Sequence, residues 1–256
     1  MMEYPVTISL IAANVLVSLI GLSNRAFFED NNFWIAPIRE GRQWWRFVTS
    51  AFLHVNSTHL LINMFVLWQF GGVLERELGA TTFLIIYFGS LFAGNAWEYI
   101  DKRDQPDYRA VGASGATSGI VLAFSVLAPF AVLYLLFILP MWAIVAAVLF
   151  ISVSFFLSQR PNTMIAHGAH LGGALAGAAL TFLLVPGAWS ALLAQIAERL
   201  LHELSQPVPY RDATLAVTIS VGAAFFPRHA DRFSQLYKAA DEALYRAKHQ
   251  GRGNWV

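Results

Sequence analysis

Between Ala110 and Gln159 the chain runs for about 50 residues without one acidic or basic side chain. Such a stretch offers water little to solvate, and a helix of about 20 apolar residues crosses a bilayer. Two crossings fit into it. Pro129 and Pro140 separate them, because proline interrupts helical hydrogen bonding. One is expected over Ser114–Leu127 and the other over Met141–Leu157.

The same character covers the chain up to about residue 186. The whole sequence is 57% hydrophobic and only 13% charged, against about 25% charged in soluble domains. Further crossings are expected over Val6–Leu22, Thr58–Leu74, Thr81–Trp97 and Ala166–Val185, with a charged loop from Glu98 to Arg109. After residue 186 the composition is that of an ordinary soluble protein. The expected fold class is an all-α membrane protein with a six-transmembrane-helix bundle, followed by a small partial α/β tail. The expected division is a membrane domain over 1–186 and a separate C-terminal part over 187–256.

The start, Met1-Met2-Glu3-Tyr4-Pro5, carries no basic residue, so the first apolar run reads as a retained anchor. The loop from Asn24 to Arg46 interleaves Phe27, Phe28, Phe33, Trp34, Trp44 and Trp45 with charges, which suits the headgroup region. Six crossings put both termini on one side. Arg25, Arg39, Arg42 and Arg46 draw the first loop toward the cytoplasm, while the basic tail draws the termini there. Giving the tail more weight, both termini are expected to be cytoplasmic, in a bacterial inner membrane. The net charge of +1 argues neither for nor against nucleic acid. The absence of cysteine excludes disulfides, thiolate catalysis and zinc–sulfur sites.

Polar groups within a bilayer are costly and need a reason. His54, His59, Asn63, Ser114, His167 and His170 all lie in or beside the apolar spans. One intramembrane histidine is as readily a structural contact as a working group, but the set is harder to dismiss. Ser114 sits in Val111-Gly112-Ala113-Ser114-Gly115-Ala116, at the start of a span. A helix N-terminus offers free N–H groups that stabilise negative charge. That suits the oxyanion formed when a serine attacks a carbonyl. The plainer reading is an N-cap serine at a glycine-rich helix start.

His170 precedes Gly173 and Gly177, a small-xxx-small pair, and Gly115 and Gly119 form another. Such faces let membrane helices pack closely. If these two meet, Ser114 and His170 come together near one end of the bundle. The histidine can then act as general base. No acidic residue stands beside it in the last span, so the pair would be a dyad. His59 and Asn63 are four apart and share a helix face. Both can donate to an oxyanion, or can simply bind two helices together.

Together these residues resemble the rhomboid family of intramembrane serine proteases, over about residues 5–185. Gly112, Ser114 and Gly115 match the family's nucleophile motif on the fourth helix. His170 with Gly173 and Gly177 matches its base on the sixth, and His59 with Asn63 its oxyanion residues on the second. Trp45-Arg46 looks like the family's Trp-Arg in the first loop, and Gly72 with Glu75 like its Gly-x-x-Glu. The resemblance implies hydrolysis of peptide bonds in transmembrane protein substrates, without metal or cofactor, at a site that water reaches from one side. Its alternative is a member of the same fold that binds membrane clients without cutting them. Relatives of that kind typically lose the serine or histidine, and this chain keeps both. One departure is Ser118. The family usually has an aromatic residue there, packed on the catalytic histidine.

The tail resembles a second family. Val217–Ala223 and Ala240–Arg252 are similar to the closing strand and helix of the GGDEF diguanylate cyclase domain. The sequence lacks the loop that gives that domain its name, so a truncated, inactive fragment with no nucleotide partner is expected. Within it a helix is expected over Ala191–Ser205, a strand over Leu215–Ala223 and a helix over Phe233–His249 closed by Gly251.

Overall fold

Pro5 opens the first helix, where its missing N–H is no loss. The computed structural model describes residues 4–135, 138–159, 166–211, 213–215, 217–251 and 253–256. From Pro5 the helix α1 (Pro5–Ser23) buries Thr7, Leu10, Asn14, Ser18 and Gly21, a polar and small face at helical spacing. Its other face exposes Leu16, Leu19, Ile20 and Leu22. This arrangement, polar inside and apolar outside, fits a bilayer as solvent and would be a liability in water.

The expected headgroup loop is folded rather than irregular. It forms α2 (Arg25–Asn31), β1 (Phe33–Trp34), α3 (Ile35–Arg39) and α4 (Arg46–Thr49). Asn24 starts α2 by accepting the Phe27 N–H at 3.0 Å. The Arg46 guanidinium explains the order. It donates to the carbonyls of Glu29 and Asn32 at 2.9 and 2.7 Å and to the Gln43 side chain at 2.7 Å. Burial lowers its pKa from the ordinary arginine value, with Asp30 acting in the opposite direction. Two separated pieces of chain, 29–32 and 43–46, thus share one buried cation.

Helix α5 (Ser57–Val66) passes through a π-turn, Leu67–Gly71, into α6 (Gly72–Lys102). The helical run is 46 residues long, more than twice what one crossing needs. Gly79 breaks it at φ +78°, in a backbone conformation that favours glycine. The expected second and third spans lie on either side of this break. Glu75 accepts the N–H groups of Val6 and Thr7 at 2.9 and 2.7 Å and the Thr7 hydroxyl at 2.7 Å. It therefore satisfies first-turn donors of α1 from another helix.

Then follow β2 (Arg109–Ala110), α7 (Ser114–Leu127), β3 (Val132–Leu135), β4 (Leu139–Trp142), α8 (Ala143–Ser158) and α9 (His167–Leu184). β1 and β2 pair antiparallel, with Phe33 opposite Ala110. β3 and β4 form a hairpin, Val132 opposite Trp142, where only a proline break was expected. Among the described residues, three helices are by length and composition able to span a membrane: Pro5–Ser23, the run Ser57–Lys102, and His167–Leu184. α7 and α8 are apolar but shorter, at 14 and 16 residues.

Helices α6, α7 and α9 meet through small residues. A Cβ added at Gly173 would fall on the Gly115 carbonyl, and one at Gly177 on the Gly119 backbone. A Cβ at Gly94 would stand 2.6 Å from the Ala169 carbonyl. Backbones this close leave no room for side chains, which is how membrane helices gain contact when lipid is as apolar as they are.

Residues Gly187–Val256 form a separate compact unit. It holds α10 (Ala188–Leu204), the hairpin of β5 (Val208–Tyr210) with β6 (Ala213–Leu215), and α11 (Phe233–His249). The strand expected over Leu215–Ala223 is not formed as such. Only Leu215 belongs to a strand, residue 216 lies outside the described residues, and Val221 makes a single parallel bridge to Trp255. A strand needs a neighbour to pair with, and among the described residues the alternation around Val217, Ile219 and Val221 finds one only near Trp255.

Candidate active site

Ser114 is the first helical residue of α7, and Ala113 takes the N-cap position. The N-cap role is therefore not the one Ser114 plays. Gly112 adopts φ +125°, and a Cβ there would lie 2.6 Å from the His59 ring. Both facts demand glycine two residues before the serine. The Gly112 N–H donates to the Ser50 carbonyl at 3.0 Å.

His54 holds the next residue. Its Nε2 accepts the Ala113 N–H at 3.4 Å, and its Nδ1 lies 2.8 Å from the Ser18 hydroxyl. Ser18 gives its own proton to the Phe52 carbonyl at 2.9 Å. Ser18 must then accept from Nδ1–H, which leaves Nε2 free to accept from Ala113. Burial first, and the neighbouring His59 second, push the His54 pKa down to about 3. The ring is thus neutral and able to play both parts at ordinary pH.

His59 packs edge-on against His54 at 5.0 Å. Its Nδ1 is buried without a hydrogen-bond partner. Asn63 donates to the His59 carbonyl at 3.0 Å and accepts from the Thr117 hydroxyl at 3.1 Å. The latter bond joins α5 to α7 one turn beyond Ser114. The second Asn63 N–H is an unused donor of the kind an oxyanion needs, and a His59 ring nitrogen can donate according to its tautomer.

Gly173 packs on Gly115 and Gly177 on Gly119, so α7 and α9 run parallel in register. Ser114 and His170 then lie at the same ends of adjoining helices. The His170 ring stacks on Phe150 of α8 at 5.9 Å and meets His167 edge-on at 5.8 Å. Ser118 back-bonds to the Ser114 carbonyl at 2.6 Å. The aromatic support absent at Ser118 is here supplied by Phe150 from a different helix. A cleft beside Ser114 is lined by Ser50, Asn95, Gly112, Gly115, Ala166 and Ala169 among others.

Of the sequence candidates Gly112, Ser114 and Gly115 line that cleft, and His59, Asn63, His170, Trp45, Arg46 and Glu75 do not. Trp45 is exposed, Arg46 organises the first loop, and Glu75 caps α1. Glu98 escaped the sequence reading, which put it in a charged loop. It lies in α6, 1% exposed, and its carboxylate accepts the Ala169 N–H at 2.7 Å. The readable signal was a carboxylate next to an apolar span, where burial needs partners.

Residues 41–187 match the Rhomboid domain, more than half of the chain, and residues 176–254 match the diguanylate cyclase GGDEF domain. The chain is 30% identical over 190 residues to RHOMBOID-like protein 12, mitochondrial, of Arabidopsis thaliana, covering 68% of this chain and 56% of that protein. It is 27% identical over 213 residues to Rhomboid protease GluP of Bacillus subtilis, covering 81% and 37%. It is 36% identical over 138 residues to Rhomboid protein 1, mitochondrial, of Saccharomyces cerevisiae, covering 51% and 39%. The chain thus spans between about a third and somewhat more than half of these relatives' lengths. With its apolar helices, its small-residue packing and these matches, the chain is an integral multi-pass membrane protein that belongs to the rhomboid family and carries a GGDEF-domain match at its C-terminal end.

Proposed function

We propose that the chain is an intramembrane serine endopeptidase, with Ser114 as nucleophile and His170 as general base, built on six crossings with both termini in the cytoplasm of a bacterial cell. The observation that carries this reading is the parallel glycine register of α7 and α9, which puts the two residues at the same helix ends.

The chemistry follows from the parts. His170 takes the Ser114 proton as the hydroxyl oxygen attacks a substrate carbonyl. The negative charge that develops on the carbonyl oxygen is met by the free N–H groups at the start of α7, with His59 and Asn63 as further donors. His170 then passes its proton to the leaving amine. Water entering by the cleft repeats the steps on the acyl-serine and releases the second product. No aspartate is needed to complete the cycle, and no metal or cofactor takes part. Substrates are transmembrane helices that unwind locally, since a helical peptide bond is closed to attack. We assign no nucleotide chemistry to residues 187–256, because the sequence lacks the GGDEF loop.

A fluorophosphonate probe tests the nucleophile without any substrate. In the purified full chain, peptide mapping should find the adduct on Ser114, and Ser114→Ala should remove it. An adduct on another serine, or none on a folded chain, overturns the assignment.

A further inference from the structure

We propose that Glu98 is a positioning residue for the dyad, bracing the helix that carries His170 against the loop that leads to Ser114. This inference rests on the proposed Ser114–His170 pair.

Helix α9 starts without a cap of its own, because its N-cap residue is Ala166. Its first-turn N–H groups therefore need an acceptor from elsewhere. Glu98 supplies one from α6. One carboxylate oxygen takes the N–H of Ala169 at 2.7 Å, at the third helical position, where a capping side chain ordinarily bonds. The next residue is His170. The other carboxylate oxygen accepts the Tyr108 hydroxyl. Tyr108 stands four residues before Gly112, and just before β2, which is held by β1. Burial, reinforced by the Glu98 carboxylate, raises the Tyr108 pKa, so the phenol remains a donor. A single side chain thus ties together both halves of the site.

Two further observations agree. Gly168 has no room for a side chain, since a Cβ there would lie 2.5 Å from the Glu98 carboxylate. And a carboxylate 1% exposed in an apolar helix is costly unless the site uses it. The positive end of the α9 dipole, together with two hydrogen bonds, offsets that cost. A misplacement of about 1 Å in a catalytic group can lower rate by about 100-fold, and the first turn of α9 sets where the imidazole stands.

The test is steady-state cleavage in liposomes of a single-span reporter helix with an Ala-Gly segment. It uses the full chain and its Glu98→Leu, Glu98→Gln and Tyr108→Phe variants. Glu98→Leu should lower kcat by about 30- to 100-fold with KM within about twofold. Glu98→Gln keeps an oxygen for the Ala169 N–H and should recover most of that loss. Tyr108→Phe should lower kcat by a smaller factor, and adding it to Glu98→Leu should cost nothing more. Wild-type kcat in Glu98→Leu, or no recovery in Glu98→Gln, overturns the brace. If Glu98→Leu does not fold, Tyr108→Phe decides, and a wild-type kcat there overturns the proposal. Activity surviving in Ser114→Ala would sink the dyad itself. A silent Ser114→Ala beside a fully active Glu98→Leu would sink the brace alone.

Discussion

Alanine in place of His170 should lower kcat for reporter cleavage by about six orders of magnitude, the scale seen when a serine nucleophile loses its base. The fold should survive. Among the described residues the imidazole makes ring contacts with Phe150 and His167 and no hydrogen bond. Losing the stack on Phe150 costs about 0.5–1.5 kcal/mol, a small share of a bundle's stability. A thermal melt beside the kinetics separates the two effects. An intact melt with near-wild-type kcat would remove His170 as base.

The second large effect is on stability. Gly173→Val would drive a branched side chain into the Gly115 carbonyl. That carbonyl belongs to the backbone of α7, which cannot rotate away as a side chain could. α7 is also packed against α6, because Gly119 lies against Ser90 of α6. The three helices must therefore separate, and the expected loss exceeds about 4 kcal/mol, in the range reserved for broken cores. Gly173→Ala should cost about 1–3 kcal/mol through the same overpacking. Leu183→Ala on the same helix is the contrast, because Leu183 is 78% exposed to the lipid side. It should shift stability by no more than about 0.5 kcal/mol. Unfolding in denaturing detergent measures all three. A wild-type midpoint for Gly173→Val would show that α7 and α9 do not pack as described.

Much of this was legible in the residues. The uncharged run after Arg109 announces membrane helices, and α7 begins and ends where its apolar pattern does. The paired glycines foretell which faces of α7 and α9 meet. They could not say that α8 would lend Phe150 to His170, since the glycine spacing of α7 and α9 does not tell which face of α8 packs on α9. The hairpin of β3 and β4 was hidden because a continuous apolar run has no alternation to betray a strand. Glu98 was misplaced for a different reason. A charge ordinarily ends a membrane span, and only the uncapped start of α9 explains why this one is buried. The tail erred the other way. Residues 217–223 alternate as a strand should, but alternation describes a face, and a strand also needs an edge to bond.

The most direct measurement is cleavage of a transmembrane reporter in liposomes by the full chain and by Ser114→Ala, at equal amounts of folded protein. The account predicts two fragments with the wild type and none with the variant. Equal cleavage by both, or a folded wild type that leaves every reporter of this kind whole, would contradict it.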